Sequence, residues 1–428
     1  MLHYARGGPS LVLDSDALRA GLEEALAKLP RARRVLLIPP DITRLHSRAG
    51  ELARYAWHHF GDRIAAVMPA LGTHAPMTED ELATMFGEIP RHLFRVHDWR
   101  NDVVTLGRVS GHYVEEISEG AVRFEYPAQV NRLLVEGGFD LILSIGQVVP
   151  HEVVGMAGHI KNVLVGTGGK ESIDKSHFLG SVYGMERIMG RTDTPVRRVL
   201  DRACELYLDE LPLVHVLTVL GPSEKGLTTR GLYIGDDTDC FRMAAELSLR
   251  VNLEIVERPL QKVVVYLSPE EYRSTWLGNK SIYRTRMAIA DAGELVVLAP
   301  GLKQFGEDPE IDRLIRKYGY RGTPRIMGAV EQETDLAENL SAAAHLIHGS
   351  SEGRFRITYC PGGLTRREVE SVGYDYGDLA DAMGRYDPPQ REDGFFTTPD
   401  GEQVFFIVNP AVGLWAHPSR FGEVSANP

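Results

Sequence analysis

"DLILSIGQV" (Asp140–Val148) is a nearly unbroken apolar run bounded by Asp140 and the Pro150 break, and it reads as a strand buried on both faces. Three more runs share its character: "VLLIPP" (Val35–Pro40), "IAAVMPALG" (Ile64–Gly72) and "LVHVLTVLG" (Leu213–Gly221). Amphipathic stretches lie between them. "SDALRAGLEEALAKL" has apolar spacings of three and four, with Ser15 or Asp16 as its expected cap. "MTEDELATMFG" repeats the pattern, with Thr78 capping and Glu81 placed for a capping box. Alternation of this kind predicts an α/β fold whose mainly parallel, Rossmann-like sheet carries helices on both faces.

A second series follows Arg258 and Pro259. Its strands are "KVVVYLS" (Lys262–Ser268), "ELVVLAPG" (Glu294–Gly301), "RFRITYC" (Arg354–Cys360) and "EQVFFIV" (Glu402–Val408). "EIDRLIRKYGY" and "DLAENLSAAAHLIHG" are its expected helices. The expectation is an α/β domain over 1–258, a second over 259–408, and a segment 409–428 that packs back on the first. Two domains also suit the length of 428 residues, beyond the size at which one core keeps growing. Ligands in such sheets bind beyond the carboxyl ends of the strands, so the active site is expected in a cleft between the domains.

The formal net charge of −12 argues against nucleic acid or an anionic membrane as partner. No apolar run approaches the ~20 residues of a membrane span, and the opening "MLHYARGGPSLVLDSD" has no secretory pattern. Cys204, Cys240 and Cys360 are scattered and odd in number, which excludes a disulfide frame and fits a reducing compartment. A cytoplasmic protein is expected.

The strand ends carry the chemistry. Asp41 and Arg44 in "PPDITR" follow the first run; Arg44 suits a two-pronged grip on a carboxylate or phosphate, while an Asp41–Arg44 loop pair is the plainer alternative. His74 in "GTHAPMTEDE" follows the next run and precedes a helix start, a place that suits a proton-accepting histidine as well as a structural one. His151 follows Pro150 at the end of the third. Lys161 comes ten residues later and His177 sixteen further on, across the glycine-rich "GTGGK" (Gly166–Lys170), whose amides could serve a phosphate. No GxxxxGK[ST] or GxGxxG pattern is present, and one or two histidines without neighbouring Cys or carboxylate make a poor zinc site.

The ordered set "PDITR", "GTH", "PH", Lys161 and His177 resembles the lactate racemase family, the nickel-pincer nucleotide enzymes that act on 2-hydroxy acids. The resemblance is specific over roughly 34–180. It implies that Lys161 binds the cofactor covalently through a thioamide and that His177 gives nickel its protein ligand beside donors of the cofactor. It implies further that His74 and His151 are acid/base groups on opposite faces of the substrate, with Asp41 and Arg44 lining the cofactor and substrate region. The implied partners are a small 2-hydroxy acid and the enzymes that make and insert the cofactor.

The second domain departs from the pattern. Lactate-active relatives carry a Tyr-Gln pair with Lys three residues on, whereas here Tyr283 precedes Arg284 and the third position is Met287. Arg284 and Lys303 are the replacement cations expected to bind substrate. A cleft of this composition favours a polar, gluconate-like sugar acid over lactate or another short acid. The rival readings are a histidine-metal hydrolase and a non-catalytic nucleotide- or sugar-acid-binding protein.

Overall fold

The computed structural model describes residues 1–223, 226–411 and 413–421. The chain divides into two compact units: Met1–Leu179 with Ile188–Asn252, and Gly180–Arg187 with Leu253 onward.

The first unit is built on six strands: β1 (Leu2–Gly7), β2 (Val35–Ile38), β3 (Ile64–Val67), β4 (Leu141–Gln147), β5 (Leu213–Ser223) and β6 (Gly226–Gly235), in the order β1–β6–β5–β4–β2–β3. The four apolar runs supply β2 to β5, and these pair in parallel, Leu36 with Ile142 and Ile142 with Leu213. β6 and β1 close one edge in antiparallel pairing. β2 and β4 are buried along their whole length because helices cover both faces. On one face, Leu18 and Leu22 of α1 (Ser15–Leu26), Leu52 and Ala56 of α2 (Ala49–Phe60) and Phe86 of α3 (Glu79–Phe86) meet Leu37, Leu143 and Val216. On the other, Phe241, Ala244 and Leu247 of the helix Thr238–Asn252 meet Leu217, Val219 and Tyr233. Each fully buried side chain of this kind stabilises the fold by ~1.5–3 kcal/mol as an upper figure.

Thr78 and Glu81 form the expected capping box on α3. The cap of α1 lies one residue before the expected Ser15 and two before Asp16: the Asp14 carboxylate accepts from the Ala17 N–H at 2.9 Å. All three residue types make good caps, so composition alone does not choose among them.

The second unit carries β7 (Leu260–Tyr266), β8 (Ile289–Ala299), β9 (Arg356–Pro361), β10 (Asp375–Tyr376), β11 (Gly394–Thr397) and β12 (Gln403–Ile407), ordered β10–β9–β8–β7–β12–β11. All pairs are parallel except β11 with β12. The helix expected over "DLAENLSAAAHLIHG" is two, Thr334–Ala337 and Leu340–His348, because the Asn339 side chain caps the second by accepting from Ala342 N–H. Of the C-terminal segment 409–428, Leu414–Ala416 pairs with Leu253–Ile255 inside this unit, and 422–428 lie outside the described residues.

Candidate active site

Asp41, Arg44, His74, His151, Lys161 and His177 all belong to the first unit. Adjacent parallel strands bring two of them together. β2 and β3 run side by side, and their extensions stay in register beyond the sheet, where Ala70 N–H donates to the Pro39 carbonyl at 2.8 Å. Asp41 and His74, far apart in sequence, therefore meet: His74 Nδ1 lies 2.6 Å from Asp41 Oδ2. Asp41 also caps the short helix Ile42–Ser47 through Thr43. Burial alone would raise its carboxyl, but the His74 and Thr43 contacts outweigh burial and hold it below the ordinary range. An Asp41–Arg44 side-chain pair does not form. The Arg44 guanidinium makes no hydrogen bond or ion pair among the described residues, and its charge is felt at both Lys161 and His151.

The His74 loop meets the Lys161 segment directly, since Gly72 N–H donates to the Gly166 carbonyl at 2.8 Å. Gly166 is required there: a Cβ would come within 2.3 Å of the Asn162 carbonyl oxygen and 2.7 Å of Ala70 Cβ. Lys161 sits in the short helix Ile160–Leu164, entered through the positive φ of Gly158 (87°) and His159 (57°). The expected phosphate-binding use of "GTGGK" is not what its first amides do. Those of Gly166, Thr167 and Gly168 turn back to the carbonyls of Lys161, Val163 and Val165.

The Lys161 amine makes no hydrogen bond or ion pair among the described residues. The side chain keeps some surface exposure, yet burial is the largest influence on it. Arg44 adds to burial, Glu152 and Asp41 oppose it, and the amine is brought down to about 8. At neutral pH about a tenth of such amines are uncharged, against less than about a thousandth for an ordinary lysine.

His151 is buried, 8% exposed, and its Nδ1 accepts from the Val153 N–H at 3.1 Å. Burial pushes it well below the usual histidine range; Glu152 opposes this, while Lys161, Arg44 and His177 add to it. His177 stands on the helix Lys170–Tyr183, where its Nδ1 is 2.7 Å from the Ile173 carbonyl. That contact fixes the proton on Nδ1 and leaves the Nε2 lone pair open, the usual arrangement of a metal-binding histidine. Burial lowers its pKa, against the pull of the Ile173 carbonyl, so the neutral, ligating form dominates. Among the described residues no three His, Cys, Asp or Glu side chains converge to hold a metal, so a metal at His177 needs donors from a bound group.

Glu152 was missed from sequence although it follows His151 directly. Its Oε2 is 3.9 Å from His151 Nδ1, and its charge acts on His151, Lys161 and His177 alike. The two residues expected from the second unit differ in setting: Arg284 is buried with Nη1 3.4 Å from the Gly413 carbonyl, and Lys303 is exposed. In a concave pocket of about 570 Å³ in that unit, Arg420 pairs with Asp291, Lys262 pairs with Glu402, and Arg258 donates to the Gln403 side chain.

The α/β fold thus gathers a half-buried lysine with no partner among the described residues, a histidine with an open ring nitrogen and two further imidazoles from the ends of parallel strands. Residues 15–188 match the lactate racemase N-terminal domain family. A Thermotoga maritima protein solved by structural genomics is similar over 96% of this chain and 100% of its own, with 25% identity and a TM-score of 0.80. The lactate racemase apoprotein of Thermoanaerobacterium thermosaccharolyticum shares the fold over 96% and 94% of the two chains, with 16% identity and a TM-score of 0.69. No curated protein matches. Residues 15–188 thus belong to the lactate racemase N-terminal domain family, and the chain as a whole shares the fold of these solved structures.

Proposed function

We propose that the protein inverts C2 of a 2-hydroxy acid with the help of a nickel-pincer nucleotide joined covalently to Lys161. The observation that carries this reading is the Lys161 amine: desolvated, unpartnered among the described residues, and brought down to about 8 beside Asp41, Arg44 and His151. A lysine in that state is a nucleophile at neutral pH. The open Nε2 of His177 suits the one protein ligand such a cofactor requires. When bound, the group supplies reversible hydride acceptance, so the C2 hydrogen leaves with its electron pair and no carbanion forms beside the carboxylate.

The protein's own residues do the rest. His74, backed by ionised Asp41, takes the hydroxyl proton on Nε2 as the substrate becomes a planar keto acid, which can present its other face before C2 is rebuilt. Arg44 grips the carboxylate. His151 faces the substrate from the other side. Glu152 gives the site a carboxylate that can accept hydrogen bonds from hydroxyls beyond C2, which favours a gluconate-like acid over lactate. Loading depends on the enzymes that make and insert the cofactor.

Protein co-expressed with those enzymes, incubated with gluconate-type acids, lactate and malate and followed by C2 configuration, tests the reading. Inversion is expected, fastest for the sugar acid. No inversion of any acid overturns the reading, and a preference for lactate overturns the choice of substrate.

A further inference from the structure

Lys161 stands on a turn, Ile160–Leu164, that is too short to hold a helix by itself. Ile160, Val163 and Leu164 are fully buried and press the turn onto the sheet, but apolar burial has no direction and would let it slide. Direction comes from the neighbouring Asn162. Its side-chain Nδ2 lies 3.2 Å from the Ile38 carbonyl, 3.2 Å from the Ile145 carbonyl and 3.3 Å from Ser144 Oγ. Ile38 is the last residue of β2, and Ser144 is its partner across the ladder in β4, so one amide bridges the two strands that lead to Asp41 and His151. The orientation of that amide is dictated by its surroundings: turned over, its oxygen would face two carbonyl oxygens. At the other end of the turn, the Val165 and Gly166 N–H groups both donate to the Lys161 carbonyl at 3.0 Å. The turn is tied to itself by the main chain and to the strand ends by Asn162.

We infer that Asn162 is a positioning residue whose side-chain amide clips the Lys161 turn across β2 and β4 and so sets the amine relative to Asp41 and His151. The catalytic part of the inference rests on the function proposed above; the placement of the amine does not. The charges that act on the amine are Arg44 and Arg197, which disfavour its charged form, and Glu152 and Asp41, which favour it. A released turn admits water to the amine, and water favours the charged form, so loss of the clip raises it towards an ordinary lysine. Asn162 acts only through the place of its neighbour.

The test is competitive acetylation of the unloaded protein with trace acetic anhydride from about pH 6 to about pH 10, read at Lys161 by peptide mass with the exposed Lys303 as reference. Wild type should show a midpoint at about 8. Asn162→Ala should move it up by about one unit and cut acetylation at neutral pH by ~10-fold. Asn162→Gln, which keeps the donors on a longer stem, should move it less. An unmoved midpoint in an Asn162→Ala protein that still unfolds cooperatively overturns the inference. Should that variant not fold, the wild type decides: the Asn162 side-chain amide protons should exchange with water at least ~10-fold more slowly than those of free asparagine, and equal exchange overturns the clip. In the loaded enzyme, Asn162→Ala should lose ~10–100-fold in kcat with KM held within about twofold. A raised KM at full kcat would place Asn162 on the substrate and overturn the positioning role. Wild-type protein that inverts nothing sinks the proposed function and leaves the acetylation result standing.

Discussion

Each unit buries a histidine among polar groups, and the two settings differ in what is left open. In the second unit, His345 Nδ1 meets the Tyr283 hydroxyl at 3.0 Å and Nε2 meets the Tyr320 hydroxyl at 2.9 Å. Tyr320 in turn meets Thr275 Oγ1 at 2.7 Å, and the Trp276 ring lies tilted against the imidazole with centroids 4.4 Å apart. Both nitrogens are satisfied, and the ring is a structural joint. In the first unit, His177 and His74 each have Nδ1 engaged and Nε2 open, beside a lysine with no partner among the described residues. An open nitrogen alone does not make a site. His159 and His215, with rings tilted to each other at 3.9 Å, each leave Nδ1 without a partner among the described residues, yet the cation that acts on both is the Arg197 guanidinium and not a lysine. What separates the active region is open valences grouped with a depressed amine.

The contrast can be broken at several points. The largest effect belongs to the Asp41–His74 dyad: Asp41→Asn should lower the inversion rate of the loaded enzyme by about 10–100-fold while leaving attachment at Lys161 intact, since an Asn oxygen can still cap Ile42–Ser47 and the base loses its charged support. Steady-state rates together with intact mass check this.

Tyr320→Phe should leave His345 Nε2 without its partner and cost about 1–3 kcal/mol of stability by denaturant unfolding, with no effect on attachment. An attachment defect in that variant would erase the distinction between the two units.

Lys161→Met should move stability the other way. Because the folded amine is depressed to about 8, the charged form is disfavoured in the folded state at every pH below that value. Removing it should stabilise the unloaded protein by on the order of 1–3 kcal/mol near pH 7. The gain should shrink as pH rises from about 8 towards the ordinary lysine value, where the wild-type amine is neutral folded and unfolded alike. Chemical denaturation across that range is the measurement. Smallest is Thr78→Ala, which removes one side of the capping box on α3 and should cost about 1 kcal/mol without touching the site.

The parallel core was legible because β2 to β5 are continuous apolar runs, and burial on both faces leaves no other use for them. The same logic placed Asp41, His74 and His151 at strand ends. The β6 strand went unread, because "GLTTRGLYIG" mixes polar residues and glycines and gains its apolar burial only by pairing with β5. The helix break at Asn339 was hidden by an unbroken amphipathic spacing. The Asp41–His74 contact depends on which strands are neighbours, and spacing along the chain does not carry that information. Glu152 and the Val153 amide were invisible for a different reason: one looks like a surface carboxylate until the fold buries its neighbours, and the other is a backbone group.

The central claim is that the amine of Lys161 carries a covalent organonickel cofactor. Intact mass of protein co-expressed with the cofactor-making enzymes, wild type beside Lys161→Ala, tests it most directly. The account predicts a heavier, nickel-bearing wild type and an unmodified variant. An unmodified wild type, or an adduct that survives in the variant, would contradict it.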